Sequence, residues 1–441
     1  MLGSRPIGRL LWHTCSQTTL SVGVYGIYAL TNAWFVARGV GVDAMAAVNL
    51  AAPVLLILGA VSTTVGAGGA SLVSRRLGAD DPAGAARATG NAFAVFWLTA
   101  ALITIAGLLA VEPLLTALGA DPATRGLTRD YTIVLVCGAI VSTGFSSLVR
   151  AEGRLRFSTM LWVVPVLVQI TLDPLLIFGL GWGVRGAALG TVGGQAVSAA
   201  MSIWFFFLQR DRPYRITRAD LRPHGPTVRA LIGVGAPSFL TGFGATLVAV
   251  LVNNTLSHVG GATALAAYTV CARIQTFVMM PQLGISQGLQ PIVGYNAGRG
   301  LHHRVARART LSLGVTVIYG ALAAGAVMVG VGPLVALFLP DGDAATTTQH
   351  ALCIIAIGFA AAGVTPLISA YSQSLGRPAI SYAISLGTLV VVKAPLVISL
   401  AHIGAIGVWT ALALGEILSA LTAVILLRRL RLGQQRCGRT R

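Results

Sequence analysis

The stretch Val163–Thr191, VVPVLVQITLDPLLIFGLGWGVRGAALGT, decides how the chain is read. It is almost wholly apolar, with the length and character of membrane-spanning helix. Asp173 sits in its middle, and Gln169 stands one helical turn before it. An ionised carboxylate at the centre of a spanning helix costs roughly 2.5–3.5 kcal/mol on insertion scales. A helix that keeps one there uses it in transport or pairs it with another charge.

The rest of the chain belongs to the same solvent. Of its 441 residues, 55% are hydrophobic and only 10% charged, against roughly 25% charged in soluble domains. Apolar runs matching a ~30 Å hydrocarbon core predict twelve spans: 11–37, 44–74, 88–111, 129–149, 158–180, 184–209, 230–257, 263–295, 310–338, 346–375, 378–402 and 405–427. The runs do not alternate polar with apolar, which excludes a β-barrel. The first run is too long for a signal peptide and lacks a small-residue cleavage site after it. The fold class is therefore an all-α polytopic membrane protein.

The net charge of +18 would suit nucleic acid, but its placement argues for topology instead. With the N-terminus placed in the cytoplasm, 25 of the 31 basic residues fall in cytoplasmic segments and four on the other side. This is the positive-inside pattern, with both ends cytoplasmic. No nucleic-acid partner is expected, and lipid and a small-molecule substrate are. Five cysteines (Cys15, Cys137, Cys271, Cys353, Cys437) lack ligand-type spacing, so neither a metal site nor a disulfide framework is expected.

The longest polar segment, 210–229, carries six arginines and three prolines. It divides the chain into a first six-helix lobe (1–209), a linker (210–229), a second six-helix lobe (230–428) and a basic tail (429–441). An internal repeat supports the division. At a shift of 220, Gly68 falls on Gly288; at 223, Gly153-Arg154 falls on Gly376-Arg377; at 221, Pro174, Gly183 and Gly194 fall on Pro395, Gly404 and Gly415. Six spans per repeat give both halves one orientation, related by an axis along the membrane normal.

Polar residues form two stripes at helical spacing. Gln17, Ser21, Tyr25, Tyr28 and Asn32 mark one face of span one; Gln275, Met279, Gln282, Ser286 and Gln290 mark one face of span eight. In lipid such faces turn toward protein or water, which points to a cavity or to interhelical hydrogen bonds. At 1.5 Å per residue, Asp173 lies ~22 Å into its span, while Thr191 lies ~10 Å and Asn32 ~8 Å from the outer end of theirs. All three fall in the outer half of the core. An acid among Gln169, Asn32, Thr191 and tyrosines suits a proton or cation, because either relieves the cost of a buried charge. Lys393, the only lysine, lies at the equivalent depth in the second half. It can snorkel, pair with Glu416 in the last span, or receive an anionic substrate group. Glu416 takes the place of Gln195 in the repeat. Arg273 in span eight has no partner that the sequence names. Pro281 and Pro291 suggest a kinked or broken eighth span.

Five segments carry a family resemblance: TNAWFVARGVGVDAMAAVNLAAP (31–53), SRRLGADDPAGAARATGNA (74–92), LVRAEGRLRFS (148–158), LDPLLIFGLGWGVRGAALGT (172–191) and MMPQLGISQGLQPIVGYNAGRG (279–300). Over essentially its whole length the chain resembles the multidrug and toxic compound extrusion (MATE) family, nearest its DinF-like branch with features of the MepA-like proteins. The resemblance implies two six-helix lobes in a V, and proton- or sodium-driven efflux of cationic or amphipathic compounds. It implies a first-lobe coupling site with an acid on helix one, Asn and Asp one turn apart on helix five, and Thr on helix six. Asp173 and Thr191 match that pattern, Gln169 replaces Asn, and Asn32 stands where an acid is common.

These readings predict a secondary multidrug antiporter of the inner membrane, acting as a monomer, with a proton or Na+ as coupling ion and no other cofactor. The rivals are a flippase or exporter for a lipid-linked or polar anionic metabolite, which Lys393 and Arg273 would suit, and a major-facilitator carrier. The loop RRLGADDPAGAAR departs from the major-facilitator form GxxxDRxGRR. No GxxxxGK[ST] loop or catalytic constellation is present, which argues against a primary pump or an enzyme.

Overall fold

The computed structural model describes residues 2–117, 121–122, 124–142, 145–340 and 342–437, with side chains described except at 25, 28–30, 33, 37, 42–43, 117 and 430–437. Every regular element among these residues is helical. Ten helices are long and apolar enough to cross a membrane, and the bent pair Asp343–Ala356 and Phe359–Ser374 makes an eleventh. A further long helix precedes them, α1 (Ile7–Gly39), whose 33 residues reach ~50 Å at 1.5 Å per residue. The others are α2 (Ala52–Gly78), α3 (Pro82–Leu109), α4 (Arg125–Ala151), α5 (Leu155–Gly179), α6 (Gly183–Leu208), α7 (Gly225–Val259), α8 (Gly261–Gly298), α9 (His302–Val329), α10 (the bent pair), α11 (Pro378–Ile403) and α12 (Ala405–Cys437).

The local sequence explains many of the ends. Pro82 opens α3, and Asp81 caps it by accepting from the Gly84 amide at 2.8 Å. Two of the matched glycine pairs are turn residues. Gly153 and Gly376 have φ of 83° and 70°, and Gly183 and Gly404 have φ of 53° and 81°, a region that disfavours a Cβ.

Of the kink or break expected in span eight, the break is absent. The span runs unbroken from Gly261 to Gly298 through Pro281 and Pro291. Each proline removes one ladder hydrogen bond, and the rest of the ladder holds. The break falls in α10, whose parts meet at 47°. There the Phe359 carbonyl accepts from Gln282 Nε2 at 3.0 Å. Gly320 and Gly363 make room, since a Cβ on either would come within 2.8 Å and 2.7 Å of the Gln282 amide group.

Two compact units are present: Leu20–Ala236, and Leu2–Thr19 with Pro237 onward. This departs from the expected boundaries at 209 and 230. Leu2, Ile7, Leu10 and Leu11 bury among Ile285, Leu289, Ile292 and Val293 of α8, and Thr18 Oγ1 donates to the Gly284 carbonyl at 2.6 Å. Glycine allows that approach, because a Cβ on Gly288 would sit 3.0 Å from Cys15 Cα. The repeat-related Gly68 does the same for α7, where a Cβ would meet the Leu231 carbonyl oxygen at 2.0 Å.

The segment expected as a linker is anchored in the first unit. Asn91 Nδ2 donates to the Asp220 carbonyl at 3.0 Å, and its Oδ1 accepts from the His224 amide at 2.7 Å. Arg212 pairs with Glu152, both sealed from solvent, and lies over the rings of Phe205, Phe206 and Tyr214 at 4.6–5.0 Å. Burial, and then the Glu152 charge, hold the Tyr214 hydroxyl well above its usual range, so it stays a donor to Glu152.

Candidate functional site

In the first unit, four residues named from the sequence come together deep in the span layer. Asp173 is 1% exposed, Thr191 3%, Gln169 5% and Asn32 8%. Asn32 Nδ2 of α1 donates to Asp173 Oδ2 of α5 at 3.4 Å, a long bond. Gln169 Nε2 donates to Thr191 Oγ1 of α6 at 2.9 Å, and Thr191 in turn donates to the Ala187 carbonyl at 3.1 Å. Among the described residues, Asp173 Oδ1 is buried with no hydrogen-bond partner. A carboxylate oxygen left so costs free energy until something occupies it. After Pro174 the helix opens into a π turn, Leu175–Gly179, a feature common beside functional groups.

Gln195 lies one turn after Thr191 on α6 and is half-buried. The side chains of Tyr25 and Tyr28 lie outside the described residues. Gln17 and Ser21 belong to the same face of α1, and both take part in interactions.

In the second unit the candidates separate. Gln282 is fully buried and serves the break in α10. Gln275 and Gln290 are half-buried, and Arg273 is exposed. Lys393 and Glu416 form an ion pair, Nζ to Oε1 at 2.6 Å, with side chains 26% and 14% exposed. Two surface concavities, an apolar groove of about 370 Å³ beside Leu247, Leu389 and Ile398 and another of about 550 Å³ beside Asp130 and Arg185, include neither Asp173 nor Lys393. Among the described residues no group of three His, Cys, Asp or Glu side chains could hold a metal.

The family model MatE matches residues 19–175 and 237–398, covering both units. The chain belongs to the MATE family. The multidrug export protein MepA of Staphylococcus aureus is 28% identical over 97% of this chain and 94% of its own length. An FAD transporter of Shewanella oneidensis is 24% identical, over 97% and 96%. Among solved structures, a MATE in complex with MaL6 superimposes with a TM-score of 0.92 at 23% identity, covering 98% of each chain. An outward-facing multidrug resistance MATE gives 0.91, at 23% identity over 98% and 97%. The protein is thus a multi-pass membrane transporter, not an enzyme, built for small molecules in a lipid environment.

Sequence reading of this MATE chain missed the glycines that shape the site. A Cβ on Gly190 would stand 1.9 Å from Asp173 Oδ1, and one on Gly194 2.8 Å from the Pro165 carbonyl oxygen. With Gly186 they repeat every four residues along one face of α6, so its backbone closes on α5. The spacing G-x-x-x-G-x-x-x-G at 186–194 was the available signal.

Proposed function

We propose that this transporter is a proton-coupled antiporter exporting cationic or amphipathic small molecules. The buried Asp173 carboxylate, with one oxygen unpartnered, carries the reading. A proton relieves that oxygen, and so does a cation at the same place. The two cannot do so together, so competition for one carboxylate links their opposed movements. Asn32 and Gln169 direct amide nitrogens at the carboxylate and at Thr191, which suits a proton better than a Na+ ion seeking oxygens. Tyr25, Tyr28 and Gln195 extend the first-unit surface that meets substrate, and Gln275 and Gln290 extend the second.

The multidrug export name of the MepA relatives supports the substrate class. The bias of basic residues supports an inner-membrane orientation with both ends cytoplasmic. Two six-helix repeats in one chain complete the alternating-access machine, so a monomer suffices.

The test is uptake of a fluorescent organic cation into proteoliposomes, with proton and sodium gradients imposed separately. The proton gradient alone should drive it, and Asp173→Asn should abolish the driven component while leaving expression intact. Full gradient-driven transport by that variant would sink the assignment. Drive by sodium alone would replace the coupling ion. Movement of FAD but of no cation would favour the anionic cargo suggested by the FAD transporter relative.

A further inference from the structure

Glu416 and Lys393 form an intramembrane ion pair that the coupling site does not use. Two pairs in this molecule contrast. Arg212 and Glu152 are 1% and 0% exposed and fully enclosed. Lys393 and Glu416 keep 26% and 14% of their side-chain surface open. That opening does not face lipid on α12. Leu414, Leu418, Leu421 and Ile425 are its exposed apolar face, and Glu416, at 100° per residue, points to the opposite side. On α12 the charge is thus reachable and turned from the exposed apolar face, as a charge on a polar path is.

The chemistry of the pair is unequal. The ammonium of Lys393 has three N–H donors, and the one hydrogen bond described for it goes to Glu416 Oε1. Two donors remain for another acceptor. Lys393 closes a π turn, Thr388–Lys393, just before Pro395. In the first unit a π turn follows Pro174, beside Asp173. At the shift that matches Pro174 with Pro395, Lys393 falls on Leu172 and Asp173 on Ala394, so the two units carry their charges and π turns at neighbouring positions around one proline, an acid in one and a base in the other. Gly415 lets α12 lie close to the lysine stem, since a Cβ there would meet Lys393 Cγ at 3.5 Å.

We propose that Lys393 is a binding subsite for a carboxylate on the transported molecule, and that Glu416 is its resident counter-ion. With the subsite empty, Glu416 neutralises the lysine and lowers the cost of a buried charge. An arriving carboxylate takes the free donors and displaces Glu416. Substrates that carry an acid beside their cationic or amphipathic body are then preferred over their neutral esters. The proposal rests on the reading of this chain as an exporter of amphipathic molecules, and it names an acid group within that class.

The test uses two probes that differ only in that group, rhodamine B and its ethyl ester, with binding to purified protein in phosphatidylcholine proteoliposomes. The wild type should bind the free acid more tightly than the ester. Lys393→Gln should weaken the acid about ten-fold, the worth of a charge-assisted hydrogen bond, and leave the ester within two-fold. Glu416→Gln removes the competitor and should tighten the acid. Removing one member of a pair can unfold a protein, so the double variant K393Q/E416Q, which strands no charge, is measured beside them. It should lose the preference for the acid. Equal affinity of wild type and double variant for both probes would overturn the proposal. So would a Glu416→Gln variant that weakens the acid as Lys393→Gln does. An effect seen only when phosphatidylglycerol is added would assign the lysine to a lipid headgroup instead, and would also overturn it. Asp173→Asn should remove gradient drive without changing the acid-to-ester ratio, so failure of this subsite and failure of the coupling reading give different results.

Discussion

The two units solve the same problem in opposite ways. The first buries a carboxylate among amides and a hydroxyl and, among the described residues, leaves one of its oxygens without a partner. The second closes lysine on glutamate. On the function proposed above, such a carboxylate takes a proton or a cation from outside. A closed pair is already neutral, and only a ligand that competes with one member can open it. On one repeated scaffold, one half holds a carboxylate with an unpartnered oxygen among the described residues and the other a self-neutralised pair.

Gly190 shows how fine that difference is. The shift of 221 that matches Gly194 with Gly415 sets Gly190 against Ala411, which is buried. Alanine fits where no carboxylate leans on the helix. Gly190→Ala, with its Cβ 1.9 Å from Asp173 Oδ1, should therefore have the largest effect. We expect gradient-driven uptake in proteoliposomes to fall about 100-fold, as for a catalytic group moved by ~1 Å. The reciprocal Ala411→Gly should leave the rate within two-fold, and equal losses in both would break the comparison.

A smaller change should follow from giving the first unit a second acid. Asn32→Asp places another negative charge at the carboxylate and makes protonation easier. The pH at which uptake is half-maximal should rise by about one unit. An unchanged pH profile would take Asn32 off the coupling path. The smallest effect should come from Gln169→Asn, which withdraws the amide from Thr191 by one methylene. Losing that 2.9 Å bond is worth about 1 kcal/mol, or roughly a five-fold slower uptake. A rate equal to wild type would show that Gln169 does not orient Thr191.

Spacing and depth made much of this legible in the sequence. Asp173, Gln169, Thr191 and Asn32 announce themselves because polar groups in an apolar span are costly, and helical geometry brings them to one level. Hydropathy marked the order of the spans, of which ten helices and one bent pair are long and apolar enough to cross a membrane among the described residues. Glycine carries no such cost, so Gly190 and Gly194 were silent although they set the distance between α5 and α6. Gln282 looked like part of a stripe, yet its role depends on a carbonyl freed 77 residues away, which periodicity does not reveal. The prolines of α8 signalled a break that belonged to α10, because a helix tolerates one missing hydrogen bond and it was the tertiary partner at Phe359 that differed. The unit boundary was equally hidden. Leu10 and Leu11 call for burial, and nothing in them says against which helix.

The placement of the first half of α1 has a consequence for how the protein is made. Cys15 packs against Ile285, 270 residues further along the chain. At about 5–20 residues per second of synthesis, its partner emerges roughly 15–55 s after it does. Through that interval the opening helix rests in the bilayer with Thr14 and Thr18 satisfied by their own backbone carbonyls. These local bonds let a polar-faced helix wait in lipid until the eighth span arrives to receive it.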